Sequence, residues 1–150
     1  MPVKRDVFIC DSIYAYLHLF SVEVPLIMAP TVRRLRVAVS GLGLGRMGAR
    51  HALHFLHRTP RAELMAVFTP DEEEVAWARE ILESWGVTIY TNYDEMLEHE
   101  DLKAVCIATV TAVHAEQTIK AIECGKHVLC EKPLSTKLDA LRIPIHFPSS

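Results

Sequence analysis

The chain has 150 residues, half of them apolar and 23% charged, with a net charge of −3. That length supports one domain with a real core, and that composition is globular rather than fibrous or disordered. Without a basic block, nucleic-acid binding is not indicated. Without an uninterrupted apolar run of about 18 residues, neither is a membrane span.

Residues 1–34 carry no turn-bounded periodic pattern that joins them to the rest of the chain. Lys4 and Arg5 precede a moderately apolar run over residues 13–22, but Asp11 and His18 interrupt it and no small-residue cleavage site comes after it. This is a poor secretory leader. Met28-Ala29-Pro30-Thr31 looks like an ordinary protein start. Residues 1–34 are therefore expected to be a poorly ordered extension. Cys10, Cys106, Cys124 and Cys130 form no C-x-x-C pair, and Cys106 and Cys130 lie in apolar strand-like runs. They read as reduced core residues of a cytoplasmic protein rather than a disulfide frame.

From Leu35 the pattern alternates strand and helix. Leu35, Val37, Ala38 and Val39 form a short apolar strand. Gly41, Gly43, Gly45 and Gly48 come next, and Ala49, Ala52, Leu53, Phe55 and Leu56 then give a helical apolar face. Residues 62–68 (AELMAVF) are a second strand. Residues 71–85 are a helix whose first turn is crowded with Asp71, Glu72, Glu73 and Glu74, where the helix dipole favours them. Trp77 and Trp85 read as packing on that helix face, and Gly86 is its stop signal. Residues 87–90 make a third strand. A short helix over 93–97 has Asn92 as its N-cap. A fourth strand over 102–108, a helix over 113–124 closed by Gly125 and a fifth strand over 127–130 complete the series. Strands alternating with helices predict an α/β, Rossmann-type doubly wound parallel sheet over residues 35–140, with its ligand at the carboxyl ends of the strands.

A strand running through glycines into a helix is the context of a dinucleotide fingerprint. Gly43-Leu44-Gly45-Arg46-Met47-Gly48 fits G-x-G-x-x-G and leaves Gly41-Leu42 as two extra residues after the strand. Gly41-Leu42-Gly43-Leu44-Gly45 fits the G-x-G-x-G of methyltransferase-like folds. In either register, glycine lets the backbone approach phosphates that the helix N-terminus attracts. His51, His54 and His57 recur every three residues. That spacing drifts around the helix, so no metal site is read there.

Three further stretches coincide with the fingerprint. They are Ile107-Ala108-Thr109, His114 five residues on, and Gly125-Lys126-His127-Val128-Leu129-Cys130-Glu131-Lys132-Pro133. Together with 43–51 they resemble the nucleotide-binding half of the Gfo/Idh/MocA oxidoreductases, the glucose-fructose oxidoreductase and inositol 2-dehydrogenase family. The resemblance covers residues 35–135, and its Glu-Lys-Pro stretch disfavours the methyltransferase register.

The resemblance implies NAD or NADP as cofactor and hydride transfer to or from a sugar or polyol. It implies that the backbone of Gly45, Arg46 and Met47 meets the pyrophosphate. It implies that Ala108, Thr109 and His114 line the cofactor, and that Glu131 and Lys132 lie by the nicotinamide ribose. Lys132 is the implied catalytic residue, stabilising a developing alkoxide or relaying a proton, and the Lys132–Pro133 bond is expected to be cis.

Three departures bear on that expectation. The extra Gly41-Leu42 lengthens the phosphate turn and is expected to disturb strand–helix packing. Thr69 stands at the end of the second strand, where an acid would favour NAD, and Asp71 either reaches the ribose or caps its helix. Val110 stands where the family often has proline. The largest departure comes after Pro133. Pro144 and Pro148 break residues 141–150 into an irregular tail, His146 is too isolated to act as a base, and the family's substrate domain is absent from the sequence. The fifth strand is then expected to be an exposed edge through which the chain self-associates. The alternative function is a non-catalytic nucleotide-binding regulatory or interaction module.

Overall fold

The computed structural model describes residues 33–136. The predicted extension and the irregular tail lie almost wholly outside them, as does Cys10. Five strands and four α-helices alternate: β1 (Leu35–Ser40), α1 (Met47–His57), β2 (Ala62–Phe68), α2 (Glu72–Leu82), β3 (Thr88–Tyr90), α3 (Tyr93–Leu97), β4 (Ala104–Ile107), α4 (Thr111–Glu123) and β5 (His127–Cys130). All strand pairs are parallel, in the order β3-β2-β1-β4-β5. The chain winds outward from β1 to β3, then crosses back to lay β4 on the other side of β1. That reversal opens a crevice at the carboxyl ends of β1 and β4.

Both faces of the sheet are covered because the strands are apolar on both. Val37 and Val39 point into one core with Ala52 of α1 and Ala78 and Leu82 of α2. Ala38 points into the other with Tyr93, Met96 and Leu97 of α3 and Ala121 of α4. In β2 the alternation is interrupted. The pairing skips Met65 between Val37↔Leu64 and Ala38↔Ala66. This bulge brings Leu64 and Val67 to the same face, which strict period-2 alternation forbids.

The caps reflect their side chains. The Asn92 side chain accepts from the N–H groups of Asp94 and Glu95 at the start of α3, as its residue type predicts. The helix predicted to run through residue 85 instead ends at Leu82 and tightens into a 3₁₀ turn, Glu83–Trp85, closed by Gly86 with φ +80°. The tightening rotates Trp85 off the packing face. It is 60% exposed and meets the His57 ring edge-on, whereas Trp77 packs on the core as expected. Cys106 is buried and uncrosslinked, and burial pushes its thiol up to about 12. Leu129 of β5 is 57% exposed, whereas Val128 and Cys130 pack against the second core.

The contrast between Leu82 and Trp85 is directly testable. Leu82→Ala is expected to cost about 2–5 kcal/mol of unfolding free energy by the cavity it leaves. Trp85→Ala is expected to cost under about 1 kcal/mol. Urea denaturation midpoints at a common m-value measure both.

Candidate cofactor site

The turn after β1 is built by two glycines at its ends. Gly41 is buried with φ +82°, and its N–H donates to the Phe68 carbonyl at 2.8 Å. A Cβ on Gly41 would lie 2.5 Å from Thr109 Cγ2 and 2.7 Å from Thr109 Cα. A Cβ on Gly48 would lie 1.9 Å from the Gly41 carbonyl oxygen. These two glycines therefore perform the tight turn and the close helix–strand approach that a dinucleotide fold needs. Gly43 (φ +52°) and Gly45 (φ +78°) shape the arc between them, and Gly45 has open space where a Cβ would go.

The expected disturbance of packing does not occur. Leu42 is fully buried, its carbonyl accepts from Ala49 N–H at 2.6 Å, and the extra length bulges outward through Leu44. Motif spacing points to Gly43 as the first glycine of the fingerprint and passes over Gly41, although Gly41 is the glycine immediately after the apolar run.

The arc opens into a cavity of about 570 Å³ at the carboxyl ends of β1, β2 and β4. Of the residues singled out from sequence, Gly43, Arg46, Thr69, Asp71, Ala108 and Thr109 line it, with Glu73, Glu74 and Gln117 added. Met47 is exposed in the opening turn of α1. Gln117, which no sequence motif marks, is buried. Its Oε1 accepts from Ser40 Oγ at 3.0 Å and Thr109 Oγ1 at 2.9 Å. One side chain thus ties the ends of β1 and β4 to α4.

Thr69 is fully buried, and its hydroxyl donates to Glu74 Oε2. Asp71 caps α2, its Oδ1 accepting from the N–H groups of Glu73 and Glu74 at 3.0 Å each.

His114, Glu131 and Lys132 lie outside that cavity lining, around the turn after β5. The Lys132–Pro133 peptide is cis. His114 is buried, with Nδ1 2.9 Å from the Pro133 carbonyl oxygen and Nε2 3.0 Å from that of Thr109. A neutral ring has one N–H and donates to one of these carbonyls; the imidazolium donates to both. The buried ring fills the space between the two loops and bonds at least one of them.

Glu131 N–H donates to the Ile107 carbonyl at 2.8 Å. Its carboxylate meets His51 Nε2 at 2.7 Å, and that hydrogen bond, aided by the Lys132 N–H and charge, holds the Glu131 carboxyl below the usual carboxylate range. Lys132 is exposed. His51, one of the three histidines whose spacing drifts around the helix, therefore pins α1 to the Glu-Lys-Pro turn. Among the described residues no group of three His, Cys, Asp or Glu side chains is gathered to hold a metal ion.

Residues 35–145 match the profile of the Gfo/Idh/MocA oxidoreductases, described as an oxidoreductase family with an NAD-binding Rossmann fold. The chain is 40% identical over 110 residues to scyllo-inositol 2-dehydrogenase (NAD(+)) of Bacillus subtilis, covering 71% of this chain and 30% of that protein. It is 37% identical over 107 residues to dTDP-3,4-didehydro-2,6-dideoxy-alpha-D-glucose 3-reductase of Streptomyces violaceoruber, with the same coverage. The crystal structure of scyllo-inositol dehydrogenase from Lactobacillus casei, with bound NAD(H) and scyllo-inositol, superposes with a TM-score of 0.65 at 31% identity. It covers 72% of this chain and 31% of that one. The chain thus spans about a third of the length of these relatives.

Two outcomes are expected from this geometry. Gly48→Ala should cost about 3 kcal/mol or more, since backbone must move to admit the methyl; a thermal melt measures it. In His51→Ala, Glu131 should titrate at higher pH than in the wild type. The stability that Glu131 contributes is complete above the ordinary glutamate pKa and is lost as pH falls through the lowered one. Removing His51 narrows that window, which NMR titration of the Glu131 carboxyl carbon reads directly.

Proposed function

Since the chain belongs to the Gfo/Idh/MocA oxidoreductase family, with its NAD-binding Rossmann fold, we propose that its cavity binds a nicotinamide dinucleotide and that the parent reaction is hydride transfer between that cofactor and a sugar or polyol. The observation that carries this is the glycine cradle. A Cβ at Gly41 or Gly48 would strike backbone, so the turn is compressed in the way a pyrophosphate-binding loop requires.

The backbone of Gly43, Gly45, Arg46, Met47 and Gly48 would hold the pyrophosphate, with the α1 N-terminus supplying partial positive charge. Thr69, Asp71, Ala108 and Thr109 would border the adenosine half, and Glu131 and Lys132 the nicotinamide ribose. The bound cofactor supplies the hydride acceptor or donor. Lys132 would steady the charge that develops on the substrate hydroxyl oxygen, or relay its proton. His114 and His51 hold the turn that carries Lys132. The substrate class rests on relatives that act on inositols and on a nucleotide-linked sugar.

A second reading, a nucleotide-binding regulatory or interaction module without turnover, is favoured by one observation. The imidazole and carboxylate beside Lys132, those of His51 and Glu131, are bonded to each other at 2.7 Å and tie α1 to the turn. The uncrosslinked cysteines support a cytoplasmic setting, and no described helix is long and apolar enough to cross a membrane. The exposed Leu129 on edge strand β5 supports self-association there.

Adding NADH or NADPH should raise the melting temperature of the 150-residue chain, ligand at a hundredfold excess over Kd contributing about 2–3 kcal/mol of stability. No shift in a folded chain would overturn the dinucleotide reading. Turnover of polyols separates the oxidoreductase from the module: binding without turnover favours the latter.

A further inference from the structure

The end of β2 carries information about which dinucleotide the cavity accepts, given the dinucleotide reading above. Thr69 comes directly after the last residue of β2 and is fully buried. Its single proton goes to Glu74 Oε2, and its oxygen accepts from the Asp71 N–H at 3.2 Å. The hydroxyl has no proton left to give an anion.

The start of α2 is closed in the same way. A helix N-terminus beside a cofactor is a ready phosphate site. Here the N–H groups of Glu73 and Glu74 are already taken by the Asp71 carboxylate. Glu74 is held with one oxygen on Thr69, while Oε1 has no partner among the described residues. Glu74 lines the cavity, as do Asp71 and Glu73.

A 2′-phosphate brings a charge of about −1.5 to −2 at neutral pH and needs donors. A 2′-hydroxyl brings none and can donate to a carboxylate. Arg46 is the cation in this lining among the described residues, its stem against Gly43 in the glycine arc; three carboxylates, Asp71, Glu73 and Glu74, line the β2 end, where like charge disfavours a phosphate. We propose that Glu74, oriented by Thr69, selects a 2′-hydroxyl over a 2′-phosphate and makes this cavity a site for NAD(H) rather than NADP(H). Thr69 is then a positioning residue. It takes the place where an acid would directly follow the strand, and presents one from the next turn of chain.

The test is titration of NADH and of NADPH into the full 150-residue chain, followed by nicotinamide fluorescence, for the wild type, Glu74→Gln, Thr69→Val and Glu80→Gln. Glu80 is exposed on the same helix and controls for loss of a charge. Circular dichroism melts establish that each variant is folded. The wild type should bind NADH at least about tenfold more tightly than NADPH. Glu74→Gln should narrow that ratio by about threefold or more, weakening NADH and strengthening NADPH. Thr69→Val should move it in the same direction, and Glu80→Gln should leave it unchanged. Equal affinities, a preference for NADPH, or a ratio untouched by Glu74→Gln would each overturn the selectivity while leaving the dinucleotide reading intact. Failure of the folded wild type to bind either would overturn both.

Discussion

The opening turn of α1 lies so close to the carbonyls leaving β1 that a methyl group at Gly48 would sit 1.9 Å from the Gly41 oxygen. That approach fixes where the N-terminus of α1 points. It also makes room for Gly41 to run against Thr109, so that the ends of β1 and β4 meet at the crevice. The cavity results from this compression. Its floor is tied by Gln117 to Ser40 and Thr109, and its far wall is the cap of α2. Buried hydroxyls and amides are tolerated here because each finds a partner, and a half-satisfied network would be less stable than an apolar floor.

The alternation of strands and helices is legible in the sequence because it rests on local signals. Apolar runs, the Asn92 cap, the glycine stops at Gly86 and Gly125, and the acidic first turn of α2 all act within a few residues. The arrangement of the glycines is only partly legible. Matching a fixed spacing selects Gly43, whereas the physical requirement falls on the residue that abuts Thr109, and that neighbour is about 68 positions away. The same limit hides the His51–Glu131 bond, which spans 80 residues, and the role of Gln117. Thr69 and Glu74 are close in sequence, but their contact depends on Asp71 turning the chain into α2. A reading that asks only which acid comes after β2 cannot see an acid delivered by a threonine. Trp85 shows the opposite failure: helical periodicity extends one turn beyond the point where the backbone tightens.

Two loops that would serve different halves of a dinucleotide are joined by protein rather than by ligand. His51 links α1 to Glu131, and the Glu131 N–H reaches the end of β4. The Lys132 turn is therefore anchored to both elements that frame the crevice, although the Lys132 side chain itself is exposed to solvent. The fold holds the backbone of that turn and leaves the ammonium at the surface, an arrangement suited to a group that must meet a partner arriving from outside the sheet.

The imidazole of His114, set between the carbonyls of Thr109 and Pro133, has a geometric consequence. A buried ring with a carbonyl oxygen within hydrogen-bond distance of each nitrogen leaves little play: sliding it to relieve one loop presses it on the other, so the separation of the Thr109 and Pro133 carbonyls is set by the width of an imidazole.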